Sequence, residues 1–140
     1  MDRREMLTGM GAAGLMLAAA LDAQAQGASS SETVYELRIY HLNEGVMPLI
    51  IERFRKEVPV FERSGMHGVG YWVATEGPLQ DRAIIYMLRH PSREVAKQNW
   101  AKFMADPEFH AAKAESESKG LKVEKAESTF MKLTEFSPRV

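Results

Sequence analysis

The sequence predicts a single α+β domain, and two periodic patterns lead to this fold class. Four segments have the pattern of a β-strand: residues 34–41, 67–75 and 129–134 alternate between two faces, and 82–89 is a short run rich in apolar residues. Between them, apolar residues recur three and four positions apart in 48–64 and again in 92–120, as in amphipathic helices. The chain therefore runs strand, helix, strand, strand, helix, strand.

The first strand has two faces of different character. Because side chains alternate along a strand, Glu36, Arg38 and Tyr40 lie on one face and Leu37 and Ile39 on the other. We expect the apolar pair to pack against the helices. The polar row would then lie on the opposite face, where a second sheet would turn it into the lining of a pocket.

The helices have clear local signals at their ends. The first begins near Pro48, finishes by Ser64-Gly65 and contains Pro59, which predicts a kink. Ser92 is placed as the N-cap of the second helix. The run Asp106-Pro107-Glu108 predicts that this helix stops and starts again, because Asp caps well and Pro suits the first helical position.

This order of elements predicts a ferredoxin-like βαββαβ fold, a four-stranded antiparallel sheet with both helices on one face. The other face would leave large apolar side chains exposed, and contiguous apolar patches mark interfaces. We expect a homodimer in which two sheets pack face to face and form an α+β barrel. The side chains expected on the open face are Trp72, or Ile84, Tyr86, Leu88 and Phe130.

Residues 1–25 have the pattern of a signal peptide. Arg3-Arg4 precedes the uncharged run Gly9–Leu21, and Ala23-Gln24-Ala25 has the small residues that signal peptidase requires. The opening segment resembles a twin-arginine signal, and the general secretory route and a short membrane anchor are the alternatives. We expect a periplasmic or secreted protein that does not associate with the membrane after cleavage, with a flexible leader at 26–33 and a domain at 34–138.

Charge and cysteine content exclude several classes of function. Cleavage after residue 25 removes two of the 18 basic and three of the 19 acidic residues, which leaves 16 of each and a formal charge of zero. We therefore expect no nucleic-acid partner, since such proteins are basic. The chain has no cysteine, which excludes disulfides, thiol nucleophiles and thiolate metal sites.

Three segments of the chain resemble the NIPSNAP family of the dimeric α+β barrel superfamily. They are Val34–Tyr40, Ile85–His90, and Trp100–Phe103 followed by Asp106-Pro107-Glu108-Phe109. The chain departs from the family pattern at Phe109, where tryptophan is usual, and at His90, where an aromatic residue often stands. The resemblance implies a ferredoxin-like subunit that dimerises through its sheet, and it implies no defined reaction.

The polar row of the first strand is the leading candidate site. Arg38 would bind a carboxylate or enolate oxygen of a ligand, and Tyr40 or Glu36 would transfer a proton. The alternative is a structural ion pair between Glu36 and Arg38, or a cross-strand contact with Lys132.

His90 ends the third strand and is the histidine that we add to the catalytic candidates. The four histidines lie far apart in the sequence, and none has a second ligand at helical spacing. Although the wider superfamily includes haem enzymes, we expect no metal site and no cofactor.

Aromatic residues extend the predicted binding site. Trp72 and Tyr86, with Phe130, would form a wall for a flat ligand beside Arg38 and Tyr40, or would instead belong to the dimer core. Trp100 and Phe103 lie on the apolar stripe of a helix and are predicted to be core residues.

Two functions remain open from the sequence. The first is a homodimeric barrel that binds a small aromatic or oxygenated molecule, with cofactor-independent monooxygenase or isomerase chemistry as one version. The second is a non-catalytic dimeric interaction module, in which the polar row only stabilises the fold.

Overall fold

The computed structural model describes residues 32–140, so the predicted signal peptide and most of the leader lie outside the described residues. The elements follow the predicted order, with the second helix divided in two. They are β1 (Val34–Leu42), α1 (Met47–Arg63), β2 (His67–Trp72), β3 (Ala83–His90), α2 (Arg93–Ala105), α3 (Pro107–Ser118) and β4 (Val123–Met131).

The strands form one antiparallel sheet in the order β2-β3-β1-β4. This order confirms the predicted ferredoxin-like arrangement, and β2 and β3 form a hairpin within it. The register places Arg38 of β1 between Tyr86 of β3 and Ser128 of β4. Since directly opposed residues of an antiparallel pair share a face, these three side chains lie on the same side of the sheet.

The predicted helix ends are confirmed. The Ser92 side chain accepts a hydrogen bond from the Val95 N–H at 3.1 Å and caps α2. The Asp106 side chain accepts one from the Glu108 N–H at 2.8 Å and caps α3. These two caps satisfy backbone donors that a helix start leaves without partners, and the second one divides the predicted helix.

The last strand begins earlier than the sequence pattern predicts. It covers Val123–Met131, whereas alternation placed it at 129–134. Its first half carries Glu124, Lys125 and Glu127 and lies at the edge of the sheet. Charged residues are common on edge strands because they discourage pairing with other chains, and here they conceal the strand from an apolar pattern search.

Aromatic packing between the helices and the sheet forms the core. Phe61 of α1 stacks on Phe103 of α2 with ring centroids 4.3 Å apart, and Tyr86 of β3 lies 5.2 Å from Phe54. All four side chains are buried. Since such pairs add to the free energy gained by burial, this cluster fixes the helices over β3 and half of β1.

The predicted orientation of β1 is wrong. The face that carries Glu36 and Tyr40 meets the helices, since Tyr40 packs on Phe54 with centroids 5.9 Å apart. Leu37 and Ile39 are half-buried on the opposite face. Alternation separates two faces but does not say which one is covered, and a polar face can be covered when neighbouring groups satisfy its hydrogen bonds.

The open face of the sheet has an apolar patch, as expected. Of the side chains expected there, Trp72 lies on this face and the others lie on the opposite face. Ile84, Tyr86 and Leu88 lie beneath the helices and are at most 2% exposed, so the prediction that they stand on the open face is wrong. Trp72 is 49% exposed and lies there. We call the apolar patch on this side the outer face, formed by Leu37, Ile39, Trp72, Ile85 and Met87.

Within residues 32–140, no helix combines the length and apolar character that crossing a bilayer requires.

Candidate functional site

A cleft of about 1320 Å³ opens between the sheet and the helices of the chain. The aromatic core described above covers β3 and part of β1, and the inner side of β4 forms a wall of the cleft. Strand residues that line it are Glu36, Arg38, Tyr40, Ala126, Ser128 and Phe130. Helix residues that line it include Arg93, Lys97, Trp100 and Met104 of α2 and Phe109 and Lys113 of α3.

Glu36 is the centre of a hydrogen-bond network at the base of this cleft. Its side chain is 2% exposed, and both oxygens are engaged. Oε1 accepts from Trp100 Nε1 at 2.8 Å and from His90 Nε2 at 2.9 Å. Oε2 accepts from Ser128 Oγ at 2.6 Å and from Arg38 Nη1 at 3.2 Å. Four donors from four elements therefore surround one carboxylate.

These donors decide the protonation state of Glu36. Burial raises the pKa of this carboxyl, but hydrogen bonds from His90, Ser128 and Trp100, together with the charge of Arg38, outweigh burial and lower the pKa from 4.5 to about 2. Glu36 is thus ionised at neutral pH. In this state it accepts hydrogen bonds and has no proton to donate.

His90 of β3 lies on the same face of the sheet as Glu36 and bonds it from the neighbouring strand. The ring is fully buried, and because an ionised carboxylate only accepts, its Nε2 must carry the hydrogen of their 2.9 Å contact. Its Nδ1 is also buried and has no hydrogen-bond partner among residues 32–140. His90 does not line the cleft, so its contact with a ligand would have to pass through Glu36.

Arg38 lies next to Glu36, and four side chains contact its guanidinium. Besides Glu36, its guanidinium donates to Tyr86 Oη at 3.3 Å and to Tyr40 Oη at 3.4 Å. The Trp100 ring covers it, with Cζ 4.4 Å from the ring centroid. Burial lowers the pKa of Arg38, but the neighbouring Tyr86 and Tyr40 oxygens raise it by more than burial lowers it. The net shift is upward, so Arg38 carries its positive charge.

The structure separates the four residues predicted to bind a ligand. Arg38 and Tyr40 line the cleft. Tyr86 is fully buried behind Arg38, and burial raises the pKa of its phenol well above the usual value. Trp72 lies on the outer face. Of the predicted aromatic wall, only Phe130 lines the cleft.

Two residues of the network were not predicted as functional. Trp100 was assigned to the core, but it is half-buried, donates to Glu36 and covers Arg38. Ser128 carried no signal of its own, because it becomes a neighbour of Arg38 only through the β1–β4 register. A correct boundary for β4 would have placed Ser128 in the last strand, and the contact with Arg38 still depends on the register of the assembled sheet.

The histidines do not assemble a metal centre within residues 32–140, where no three His, Asp or Glu side chains group in a way that could hold a metal ion. His41 lies on the face opposite Arg38, with Nε2 3.3 Å from a Glu127 carboxylate oxygen. The charged groups of the cleft are therefore the ones available to a ligand.

Comparisons with known proteins agree with this fold. A crystal structure of an uncharacterised NIPSNAP-like domain protein from Burkholderia xenovorans is 19% identical, with a TM-score of 0.67 over 79% of this chain and 92% of that chain. A NIPSNAP family protein of unknown function from Agrobacterium tumefaciens is 26% identical, with a TM-score of 0.63 over 77% and 94%.

A more distant structure has a described activity. SnoaB, a cofactor-independent oxygenase from Streptomyces nogalater, is 12% identical, with a TM-score of 0.51 over 77% of this chain and 99% of that one. At this identity the likeness concerns the fold alone. No curated protein is significantly similar in sequence. The family model for NIPSNAP matches residues 35–138, and the chain therefore belongs to the NIPSNAP family.

Proposed function

We propose that the protein binds a small, flat, oxygen-bearing organic molecule in the cleft above Arg38. One observation carries the proposal: the charged Arg38 side chain remains 17% exposed at the base of a large cleft, while the side chain of its partner Glu36 is buried. Ligand sites are typically concave and largely apolar, with a few polar groups that orient the ligand. The cleft is concave and has aromatic walls, and it is more polar than a typical site because nine of its 19 lining residues are charged.

The polar groups that remain available favour an oxygen-bearing ligand. Arg38 has five N–H groups, and three of its contacts are with Glu36, Tyr40 and Tyr86, so two N–H groups lack an acceptor among residues 32–140. The cleft walls include the rings of Trp100 and Phe130. A planar ligand could pack between such rings and direct an oxygen to the guanidinium.

The proposal concerns binding and leaves the reaction open. Oxygenase or isomerase chemistry without a cofactor needs a group that removes a proton from the substrate. Glu36 is a weak base, since its pKa is about 2. Tyr86 is buried, and its raised pKa keeps the phenol protonated. The likeness in fold to an oxygenase does not by itself identify a catalytic residue in this cleft.

Native mass spectrometry of protein purified from its own cells tests the proposal. We expect a co-purifying small molecule that is lost in an Ala126→Trp variant, because Ala126 lies on the cleft wall and an indole there fills the space. Ala114→Trp is the matched control, an exposed alanine of α3 outside the cleft. A wild-type protein without any bound molecule, or one retained equally by both variants, contradicts the proposal.

We further propose that two copies pack through the outer face, which places one cleft in each subunit. The support is the row of half-buried apolar side chains together with Trp72, on a sheet face that no helix of the described chain covers. Met87→Glu at its centre should convert dimer to monomer in sedimentation velocity at micromolar concentration, whereas Met104→Glu on α2 should not. A monomeric wild-type protein contradicts this assembly.

The alternative function is a non-catalytic interaction module. The complete set of hydrogen bonds around Glu36 is the observation that favours it, since a structural network needs no ligand. Under this alternative the Met87→Glu result would stand, but no molecule would co-purify with the wild-type protein.

Export is proposed from the sequence of residues 1–25. Cell fractionation should place the wild-type protein in the periplasm or the medium. Changing Arg3 and Arg4 to Lys should retain it in the cytoplasm if the twin-arginine route is used, because that route reads the arginine pair. Unchanged export of the variant would indicate the general secretory route.

A further inference from the structure

We propose that the ligand of this cleft is an organic anion, specifically a small aromatic carboxylate. This inference rests on the proposed binding function and adds the charge of the ligand to it. Its basis is the distribution of charged residues along the cleft, which differs from that of the whole chain. The chain has a formal net charge of −1, whereas the cleft lining has six basic and three acidic residues.

Pairing within the cleft removes some of these charges from consideration. Glu36 is neutralised by Arg38, and Glu117 by Lys113 at 2.9 Å. Arg53 is buried and paired with Glu57 at 2.6 Å. Arg38, Arg53 and Lys113, three of the six basic residues that line the cleft, are thus each paired with a carboxylate.

Three cations and one carboxylate remain. Arg93, Lys97 and Lys122 have no carboxylate within ion-pair distance among residues 32–140, and Glu94 is the remaining acid of the lining. An excess of positive charge that the protein does not neutralise attracts anions and raises their local concentration. A neutral ligand would gain nothing from it.

Two of these cations lie beside the aromatic walls. Arg93 and Lys97 are one turn apart on α2, on the stripe that continues to Trp100. The guanidinium of Arg93 stacks on the Phe130 ring at 4.0 Å and so connects α2 to β4 at one end of the cleft. A carboxylate attached to an aromatic ring combines the two features that this end presents.

The matched probes are naphthalene-2-carboxylate and naphthalene-2-carboxamide, which share a ring and a shape and differ in charge. Isothermal titration calorimetry with the folded chain should give roughly tenfold tighter binding of the carboxylate at low salt, a difference of about 1.4 kcal/mol, because several unpaired cations act on one charge. Added salt should weaken binding of the carboxylate and leave that of the carboxamide unchanged.

A pair of lysine variants locates the charge effect. Lys97→Gln should weaken binding of the carboxylate about threefold to tenfold and leave the carboxamide unaffected. Lys102→Gln is the control, an exposed lysine of the same helix outside the cleft, and it should change neither affinity. Both side chains are exposed, so neither change should affect folding.

The outcomes separate the two proposals. Equal affinity for the two probes overturns the anion inference and leaves the proposed binding function standing. A preference for the carboxylate that is insensitive to Lys97→Gln and to the double variant with Arg93→Gln overturns the assignment of these cations. Failure of both probes, together with wild-type protein that carries no molecule in native mass spectrometry, overturns the inference and the proposed function together.

Discussion

Two ion pairs of arginine with a buried glutamate differ in the number of hydrogen bonds that the carboxylate accepts. In β1, Arg38 contacts Glu36 at 3.2 Å, and in α1, Arg53 contacts Glu57 at 2.6 Å. Both carboxylates are at most 2% exposed. Glu36 accepts from four donors, whereas Glu57 accepts a hydrogen bond only from Arg53 Nε among residues 32–140, and its buried Oε1 has no partner there.

The pKa values of the two carboxyls shift in opposite directions. Burial raises both, but the donors around Glu36 reverse the effect and lower its pKa to about 2. For Glu57, burial outweighs the charge and hydrogen bond of Arg53, and the pKa rises. The Arg53–Glu57 pair is therefore the shorter one, yet its carboxyl is the one whose ionised form burial disfavours. Whether a buried carboxylate stays ionised therefore depends on how many donors surround it, and a single close guanidinium is not enough.

Neutralising each carboxyl should have the largest and most divergent effects. Glu36→Gln should lower the free energy of unfolding at pH 7 by about 3 kcal/mol, since the pKa shift from 4.5 to about 2 represents that much differential stabilisation. Glu57→Gln should lower it by less, because burial already disfavours the charged form of Glu57 and the amide oxygen of Gln can still accept from Arg53 Nε. Urea denaturation followed by circular dichroism measures both. Equal losses would show that the two pairs are equivalent.

The pH dependence of these variants should also run in opposite directions. The folded pKa of Glu36 lies below the ordinary value of 4.5, so its stabilisation is present above that pH and is lost as pH falls toward 2. The advantage of wild type over Glu36→Gln should accordingly shrink between pH 5 and pH 2. The folded pKa of Glu57 is raised, so wild type should lose stability relative to Glu57→Gln as pH rises above 4.5. Denaturation curves at several pH values test this; parallel curves would contradict it.

Removing one donor should have a smaller effect than removing the charge. Trp100→Phe keeps a ring over Arg38 and deletes the indole N–H that Glu36 accepts, so we expect a loss of about 2 kcal/mol, the usual contribution of a hydrogen bond to a charged group. Trp72→Phe on the outer face is the control and should cost much less. A near-zero effect of Trp100→Phe would mean that the remaining three donors suffice.

The smallest expected effect is at the donor nearest to water. Ser128 bonds Glu36 at 2.6 Å, but it lines the open cleft, where a water molecule can replace its hydroxyl. Ser128→Ala should therefore cost about 1 kcal/mol. Ser118→Ala, at an exposed serine that bonds a backbone carbonyl, should leave the free energy of unfolding unchanged. A cost for Ser128→Ala as large as that for Trp100→Phe would indicate that water does not reach this end of the cleft.

Much of the fold was predictable because its signals are local. Alternation marked the strands, and Ser92 and Asp106 marked the helix starts through side-chain caps that involve residues two or three positions away. The boundary of β4 was less predictable, since an edge strand tolerates charged residues that hide the alternation. The polar row of β1 predicted that Arg38 and Tyr40 line a pocket. That pocket lies between the sheet and the helices, whereas the sequence predicted it on the open face.

The sequence by itself determined the order of the elements and the fact that Glu36, Arg38 and Tyr40 share a face, because the side-chain period of a strand is a property of the backbone. Only the tertiary structure decided that this face is the covered one. The decision depends on donors that lie 54, 64 and 92 positions from Glu36, namely His90, Trp100 and Ser128. No local pattern encodes such contacts, since a buried carboxylate is tolerated only where the assembled fold brings its donors together.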